Sequence, residues 1–236
     1  MKMENQDPSG NGLGIILQAR MGSTRLPGKI FKQIGSKTLL GHIFFRLKSL
    51  RHRAAIVLAT SCLFKDDEVE KYCKDEGIYC FRGSEENVLE RYYFCAKEYG
   101  FKTIVRLTAD NPFVDIEELD KLIDLHYRDN ADYSSSYQSL PIGVGAEIFT
   151  FSALEKSYSN GKARHHLEHV DEYILENTNK FHIATLEVAG VKNRPGIRLT
   201  VDTEADYRAA CYIVENASGE YVTTQDAIRL ITGFTG

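Results

Sequence analysis

Two hydrophobic periods alternate along the first half of the chain. Leu13 to Leu17 is a short apolar run bounded by glycine, the pattern of a strand buried on both faces. Residues 18–29, rich in Gly, Ser, Arg and Pro, read as a loop. Leu39, Leu40, Ile43, Phe44 and Leu47 then recur at helical spacing, with Arg46, Lys48 and Arg51 on the other side. Ala54 to Ala59 reads as a second buried strand. The cycle continues with a helix from about Asp66 to Glu76, a strand at Ile78 to Phe81, a helix from Glu86 to Tyr99, a strand at Thr103 to Leu107 and a helix at Asp115 to Tyr127. Strand and helix in strict alternation predict a mostly parallel sheet flanked by helices, an α/β nucleotide-binding arrangement.

Beyond residue 130 the rhythm changes. Asp132 to Ser139 is polar and aromatic, Val144 to Phe151 and Ile197 to Val201 read as strands, and Phe181 to Val188 alternates as a half-buried strand. Arg164 to Glu176 and Glu204 to Asn216 read as helices. A small mixed insertion over about residues 132–190 is expected to cover the site. No stretch is rich enough in Pro, Gly or Ser to separate a second domain, so the expected organisation is a flexible leader over residues 1–12 and one domain over 13–236.

Composition narrows the class. Hydrophobic residues make up 43% and charged residues 26% of the 236, as in an ordinary globular protein. The start is polar and lacks the apolar core of a signal peptide, and no apolar stretch approaches the roughly 20 residues of a membrane span. Cys62, Cys73, Cys80, Cys95 and Cys211 form no CxxC pair and do not match zinc spacing, so they read as reduced thiols of a cytoplasmic protein with no membrane partner. The net charge of -4 argues against a nucleic-acid partner. That total conceals an asymmetry: Pro8 to Lys65 contains ten Lys and Arg and no Asp or Glu, and the acidic excess lies in the rest.

The basic block centres on Gln18-Ala19-Arg20-Met21-Gly22-Ser23-Thr24-Arg25-Leu26-Pro27-Gly28-Lys29, which leaves the C-terminal end of the first strand, where open α/β sheets bind ligands. Glycines allow backbone N–H groups to approach phosphate oxygens, and Arg20, Arg25 and Lys29 can neutralise several negative charges, so a triphosphate is a natural ligand. The loop is not a Walker A motif: five residues separate Gly22 and Gly28, and Ile30 stands where a Ser or Thr is required. It is not a dinucleotide fingerprint either, because Gly10, Gly12 and Gly14 precede or open the strand. A solvated basic loop capping the sheet is the alternative.

The run QARMGSTRLPGK resembles the loop of the cytidylyltransferases that make CMP-activated sugars, most closely the SpsF type of spore-coat polysaccharide synthesis. Similar matches occur at Ala59-Thr60-Ser61, Phe81-Arg82-Gly83-Ser84, Arg106 to Pro112, Glu168-His169-Val170 and Val201 to Glu204, in the family's order over nearly the whole chain. The resemblance implies a Rossmann-like nucleotidyltransferase fold related to the GT-A glycosyltransferases. It also implies transfer of CMP from CTP to a sugar acceptor with release of pyrophosphate, Mg²⁺ as cofactor and a homodimer.

It assigns roles as well. Arg20, Lys29, Asp110 and Asp202 would carry the reaction, with Asp110 and Asp202 holding the metal. Leu17, Gln18, Ala19, Arg20, Gly22, Ser23, Arg25, Lys29, Ser61, Gly83, Ser84 and Asp110 would bind the nucleotide, with Leu17, Ala19, Ser61 and Ser84 the candidates for reading cytosine. Asn111, Glu147, Arg164, His165, His169 and Arg198 would meet the acceptor. Ordinary roles compete with several of these: a helix N-cap for Asp202 before Thr203-Glu204, a turn for Asp110 before Asn-Pro, a surface cation for Arg82, and a polar helix surface for His165 and His169. Two other functions stay open. A glycosyltransferase usually carries Asp-x-Asp, which is missing at Asp110-Asn111-Pro112, and a non-catalytic nucleotide-binding scaffold needs no metal carboxylates.

Overall fold

The computed structural model describes residues 12–234, so all of the expected leader except Gly12 lies outside the described residues. In chain order the elements are β1 (Leu13–Gln18), β2 (Gln33–Ile34), β3 (Lys37–Thr38), α1 (Leu39–Leu47), β4 (Ala55–Ser61), α2 (Asp67–Glu76), β5 (Tyr79–Gly83), α3 (Val88–Glu98), β6 (Thr103–Thr108) and α4 (Ile116–Arg128). They continue with β7 (Tyr133–Ser135), β8 (Glu147–Thr150), α5 (Phe151–Asn160), α6 (Arg164–Glu168), α7 (Glu172–Glu176), β9 (Ile183–Thr185), α8 (Glu204–Glu215) and α9 (Thr224–Thr232). Side chains that accept from the first-turn N–H groups fix several starts: Thr38 for α1, Asn87 for α3 and Asp115 for α4.

One seven-stranded sheet, ordered β5-β4-β1-β6-β8-β7-β9, crosses the molecule, and β2 and β3 form a separate hairpin. Strands β5, β4, β1 and β6 run parallel, whereas β8 is antiparallel to β6 and to β7. The mixed part expected for residues 132–190 therefore extends the main sheet through β8, β7 and β9. Helices α1, α2, α4, α8 and α9 bury one face of the sheet, and α3, α5 and α7 bury the other. Chain order reverses at β1, which has β4 on one side and β6 on the other, so the crevice at the C-terminal ends of β1 and β6 is the topological switch point.

Two expected elements differ from the sequence reading. Residues 164–176 are not one helix: the chain leaves α6 at His169, which is extended, and inserts fully buried Val170 into the core before α7 begins. Hence His165 and His169 do not share a helical face. Residues 197–201 are extended but make only an isolated bridge, between Ile142 and Arg198, because their N–H and C=O groups go to Ile142 and Asp110 one at a time. Helices α5 and α9 were missed; each is announced by a capping threonine, Thr150 and Thr223.

Candidate active site

The basic loop and two carboxylates meet at the switch point. Gln18 ends β1 opposite Thr108 at the end of β6, so the loop after β1 and Asp110 after β6 leave the sheet side by side. Asp202 arrives from 92 positions away along the extended segment 197–201, held by Val201 N–H donating to the Asp110 carbonyl at 2.8 Å. Gly143 permits that approach. Its φ is +92°, and a Cβ there would lie 2.6 Å from the backbone nitrogen of Thr200.

Lys29 joins these segments. Its Nζ donates to Asp110 Oδ2 at 3.1 Å, to Asp202 Oδ1 at 2.9 Å and to the Val201 carbonyl at 2.9 Å, and the residue is only 8% exposed. Thr108 Oγ1 donates to Asp110 Oδ1 at 2.6 Å, while Asn111 Nδ2 donates to Thr108 Oγ1 at 2.8 Å, so a short relay orients the carboxylate. Asp202 also pairs with Arg25 at 3.3 Å and with Arg198. Burial pushes the Asp202 carboxyl up, but the Lys29, Arg198 and Arg25 charges outweigh it and hold the group below the usual aspartate range. Asp202 does not cap α8. Thr203 does, in a reciprocal box with Asp206, whose carboxylate also takes the Asp202 N–H.

Two clefts flank this cluster. The first, about 550 Å³, is lined by Gln18, Ala19, Arg20, Gly22, Ser23, Arg25, Lys29, Thr108, Asp110 and Asp202, together with Lys65 and Glu85. The second, about 770 Å³, shares Gln18, Arg20, Glu85, Thr108 and Asp110 with it and adds Arg106, Arg164 and His169. Arg20 is exposed on the shared wall and makes no hydrogen bond or ion pair among the described residues. Gln18 Oε1 is buried there without a partner.

Other expected site residues lie off these walls. Leu17 is fully buried in the core, and Ala19, although on the first cleft, commits its N–H to the Ala59 carbonyl at 3.1 Å. Ser61 is fully buried and donates to Asp66; Ser84 Oγ accepts from Asn87 N–H; Gly83 lines neither cleft. Asn111 lines neither cleft; its Nδ2 donates to Thr108, and its Oδ1 is buried without a partner. Glu147 is fully buried between Arg106 and Tyr133, so it does not present its carboxylate to either cleft. Burial raises that carboxyl to about 7, with Arg106 pulling the other way. His165 turns to Glu176 at 2.7 Å, and Arg198 is taken up by Asp202 and Asp206. Arg82 clamps the connection after β4 by donating to the Ser61 and Leu63 carbonyls.

Three residues that matter here were given no role from sequence, although Arg106 and Thr108 lie in the quoted run Arg106 to Pro112. Asp66 is fully buried, accepts from Met21 N–H at 2.7 Å and from Ser61, and so anchors the basic loop from below. Thr108 orients Asp110. Arg106 forms the base of the second cleft, and a lone charge inside the apolar run of β6 was its available signal.

The donor set fits a hard divalent cation. Two carboxylates converge on one point, where the Lys29 ammonium bonds to both.

Comparison with known proteins identifies the family. A family model described as cytidylyltransferase matches residues 14–227. The spore coat polysaccharide biosynthesis protein SpsF of Bacillus subtilis is 36% identical over 212 residues, covering 88% of each chain. An uncharacterized protein of Methanocaldococcus jannaschii is 40% identical over 193 residues, 82% of this chain and 79% of that one. The solved structure of a cytidylyltransferase from Leptospira borgpetersenii superposes with a TM-score of 0.86 at 35% identity, covering 94% of both chains.

Proposed function

The chain belongs to the cytidylyltransferase family and is a CTP-dependent nucleotidyltransferase, and from that premise we propose that it transfers CMP to a hydroxyl of an acidic sugar in the synthesis of a surface or spore-coat polysaccharide. The observation that carries the reading is the Lys29, Asp110 and Asp202 cluster on the first cleft, in which Asp110 also lines the second. One cleft suits the nucleotide, the other the acceptor, and the reacting α-phosphate belongs where they meet.

The acceptor oxygen forms a bond to the α-phosphorus of CTP as the bond to pyrophosphate breaks. Such a transfer depends on in-line positioning and charge neutralisation more than on covalent catalysis. Arg20, exposed on the shared wall, and Arg25 on the first cleft are available to the triphosphate. Asp110 and Asp202 would hold Mg²⁺, which supplies further neutralisation of the phosphates when bound. Thr108 keeps the Asp110 carboxylate oriented, and Asp66 keeps the basic loop in place.

In the second cleft Arg106 is the side chain suited to an acidic group. Its Nη1 is committed to Glu147 and its Nε is buried without a partner, so the second donor edge, Nε with Nη2, is unmatched and only its Nη2 end is not sealed from the cleft. Arg106→Lys keeps the charge beside Glu147 but loses that edge. It is expected to raise the acceptor KM about tenfold, the scale of one charge-assisted hydrogen bond, with the CTP KM unchanged. Steady-state kinetics with each substrate varied in turn checks this, and an equal rise in both KM values would count against it.

Purified protein with CTP, Mg²⁺ and a panel of acidic sugars tests the whole reading by pyrophosphate release. Release with CTP and an acidic acceptor is the expected result. Turnover of a nucleotide sugar would point to a glycosyltransferase. CTP binding with no pyrophosphate across a broad panel would point to a scaffold.

A further inference from the structure

We propose that Lys29 occupies the cation position in the free protein, so that a divalent metal is excluded until a nucleotide triphosphate draws the ammonium away. The inference rests on the reading of Asp110 and Asp202 as the metal-holding pair. It adds an order of binding: nucleotide and metal enter together, and metal alone does not.

The geometry is specific. An ammonium has three N–H donors, and all three of Lys29 are used, on Asp110 at 3.1 Å, Asp202 at 2.9 Å and the Val201 carbonyl at 2.9 Å. The two carboxylates that would hold a metal are therefore joined already by a positive charge of the protein's own. Arg25 and Arg198 add two further cations around Asp202. A metal ion arriving alone would have to displace a side chain that is nine-tenths buried and fully hydrogen-bonded, shed part of its own hydration, and enter a positive surround. Mg²⁺ sheds water reluctantly and seldom does so for two carboxylates alone.

A triphosphate changes both sides of this balance. Its oxygens offer Lys29, which lines the first cleft, an alternative anionic partner and offer the metal the ligands that two aspartates lack. Linkage then requires reciprocity: whatever factor CTP contributes to metal affinity, the metal contributes to CTP affinity, and much of that coupling passes through Lys29.

The test uses Mn²⁺ as the probe, with binding to the full chain followed by its paramagnetic resonance signal in the absence of nucleotide. Lys29→Met keeps the length of the side chain and removes the ammonium. It is expected to tighten Mn²⁺ binding to the free protein at least tenfold. Asp202→Asn in the same background should abolish the gain. Arg25→Gln controls for general charge, since it removes a cation 3.3 Å from Asp202 that does not stand between the carboxylates; it should tighten binding less than threefold. In the wild type CTP should strengthen Mn²⁺ binding at least a hundredfold, and in Lys29→Met this coupling should shrink by the factor gained without nucleotide.

Equal Mn²⁺ affinity of wild type and Lys29→Met would overturn the inference, as would an equal gain in Arg25→Gln. If the methionine variant does not fold, Lys29→Gln carries the same expectation. A structure of the nucleotide-free wild type soaked in Mn²⁺ decides the matter independently: an ion between Asp110 and Asp202 would overturn it. Failure of the proposed reaction is distinguishable, because it is read as missing pyrophosphate release while these measurements need only Mn²⁺ and CTP binding.

Discussion

Asp110→Asn is expected to lower kcat for pyrophosphate release about 10³-fold, the scale seen when a preorganised electrostatic group is removed from a transition state. The two residues have nearly the same shape, so the change isolates the charge. One carboxylate oxygen accepts from Thr108 and the other from the Lys29 ammonium. An amide can keep the first contact only by turning its NH₂ group toward Lys29, or the second by turning it toward the Thr108 hydroxyl. Either way the negative charge opposite Lys29 is lost. Folding should be affected far less than turnover, because the Asp110 side chain is 27% exposed and the buried Lys29 ammonium keeps Asp202 and the Val201 carbonyl as partners, so the loss is on the order of 1 kcal/mol. In a chain of this length that corresponds to a melting shift of about 3 °C. Kinetics and a thermal melt on the same preparation check both halves. A loss of turnover below tenfold would remove Asp110 from the reacting centre.

Gly143→Ala is expected to cost about 3 kcal/mol of stability. Two costs add. The backbone at φ +92° is strained for any residue with a Cβ, and the new carbon would lie 2.6, 2.7 and 2.8 Å from the N, Cβ and Cα of Thr200. Backbone cannot swing aside as the end of a side chain can, so segment 197–201 must move. The melting temperature should fall by about 9 °C. Because Asp202 lies two residues beyond Thr200, turnover of the folded fraction should fall as well. Gly190→Ala is the control: φ there is +73° but nothing lies within 4 Å, so only the conformational cost remains, about 1 kcal/mol. Equal losses at the two positions would show that the close approach to Thr200 does not matter.

Much of the fold was legible because its signals are local. The apolar runs at Leu13, Ala54 and Thr103 and the helical spacing of Leu39 to Leu47 became β1, β4, β6 and α1 nearly residue for residue. Parallel strands buried on both faces cannot alternate with polar residues, and their helices must, so the two periods separate in the sequence itself. Past residue 130 the strands shrink to three or four residues, below the length at which a period can be read, and the reading of 164–176 as one helix failed there. Nothing local in that stretch marks Val170 for the core; the face of α3 and α5 that receives it comes from elsewhere in the chain.

The site divides along the same line. The sequence by itself determined the chemistry on offer: a cluster of cations leaving a buried strand and two aspartates after strand-like runs. Residue type and order suffice for that, since ionisation and strand direction are properties of the local chain. Only the tertiary structure decided which of these groups meet. Segment 197–201, passing over Gly143, brings Asp202 to Lys29, and Glu147 is sealed between Arg106 and Tyr133. Those outcomes depend on contacts between residues far apart in sequence, where packing and the pairing of buried charges set the geometry.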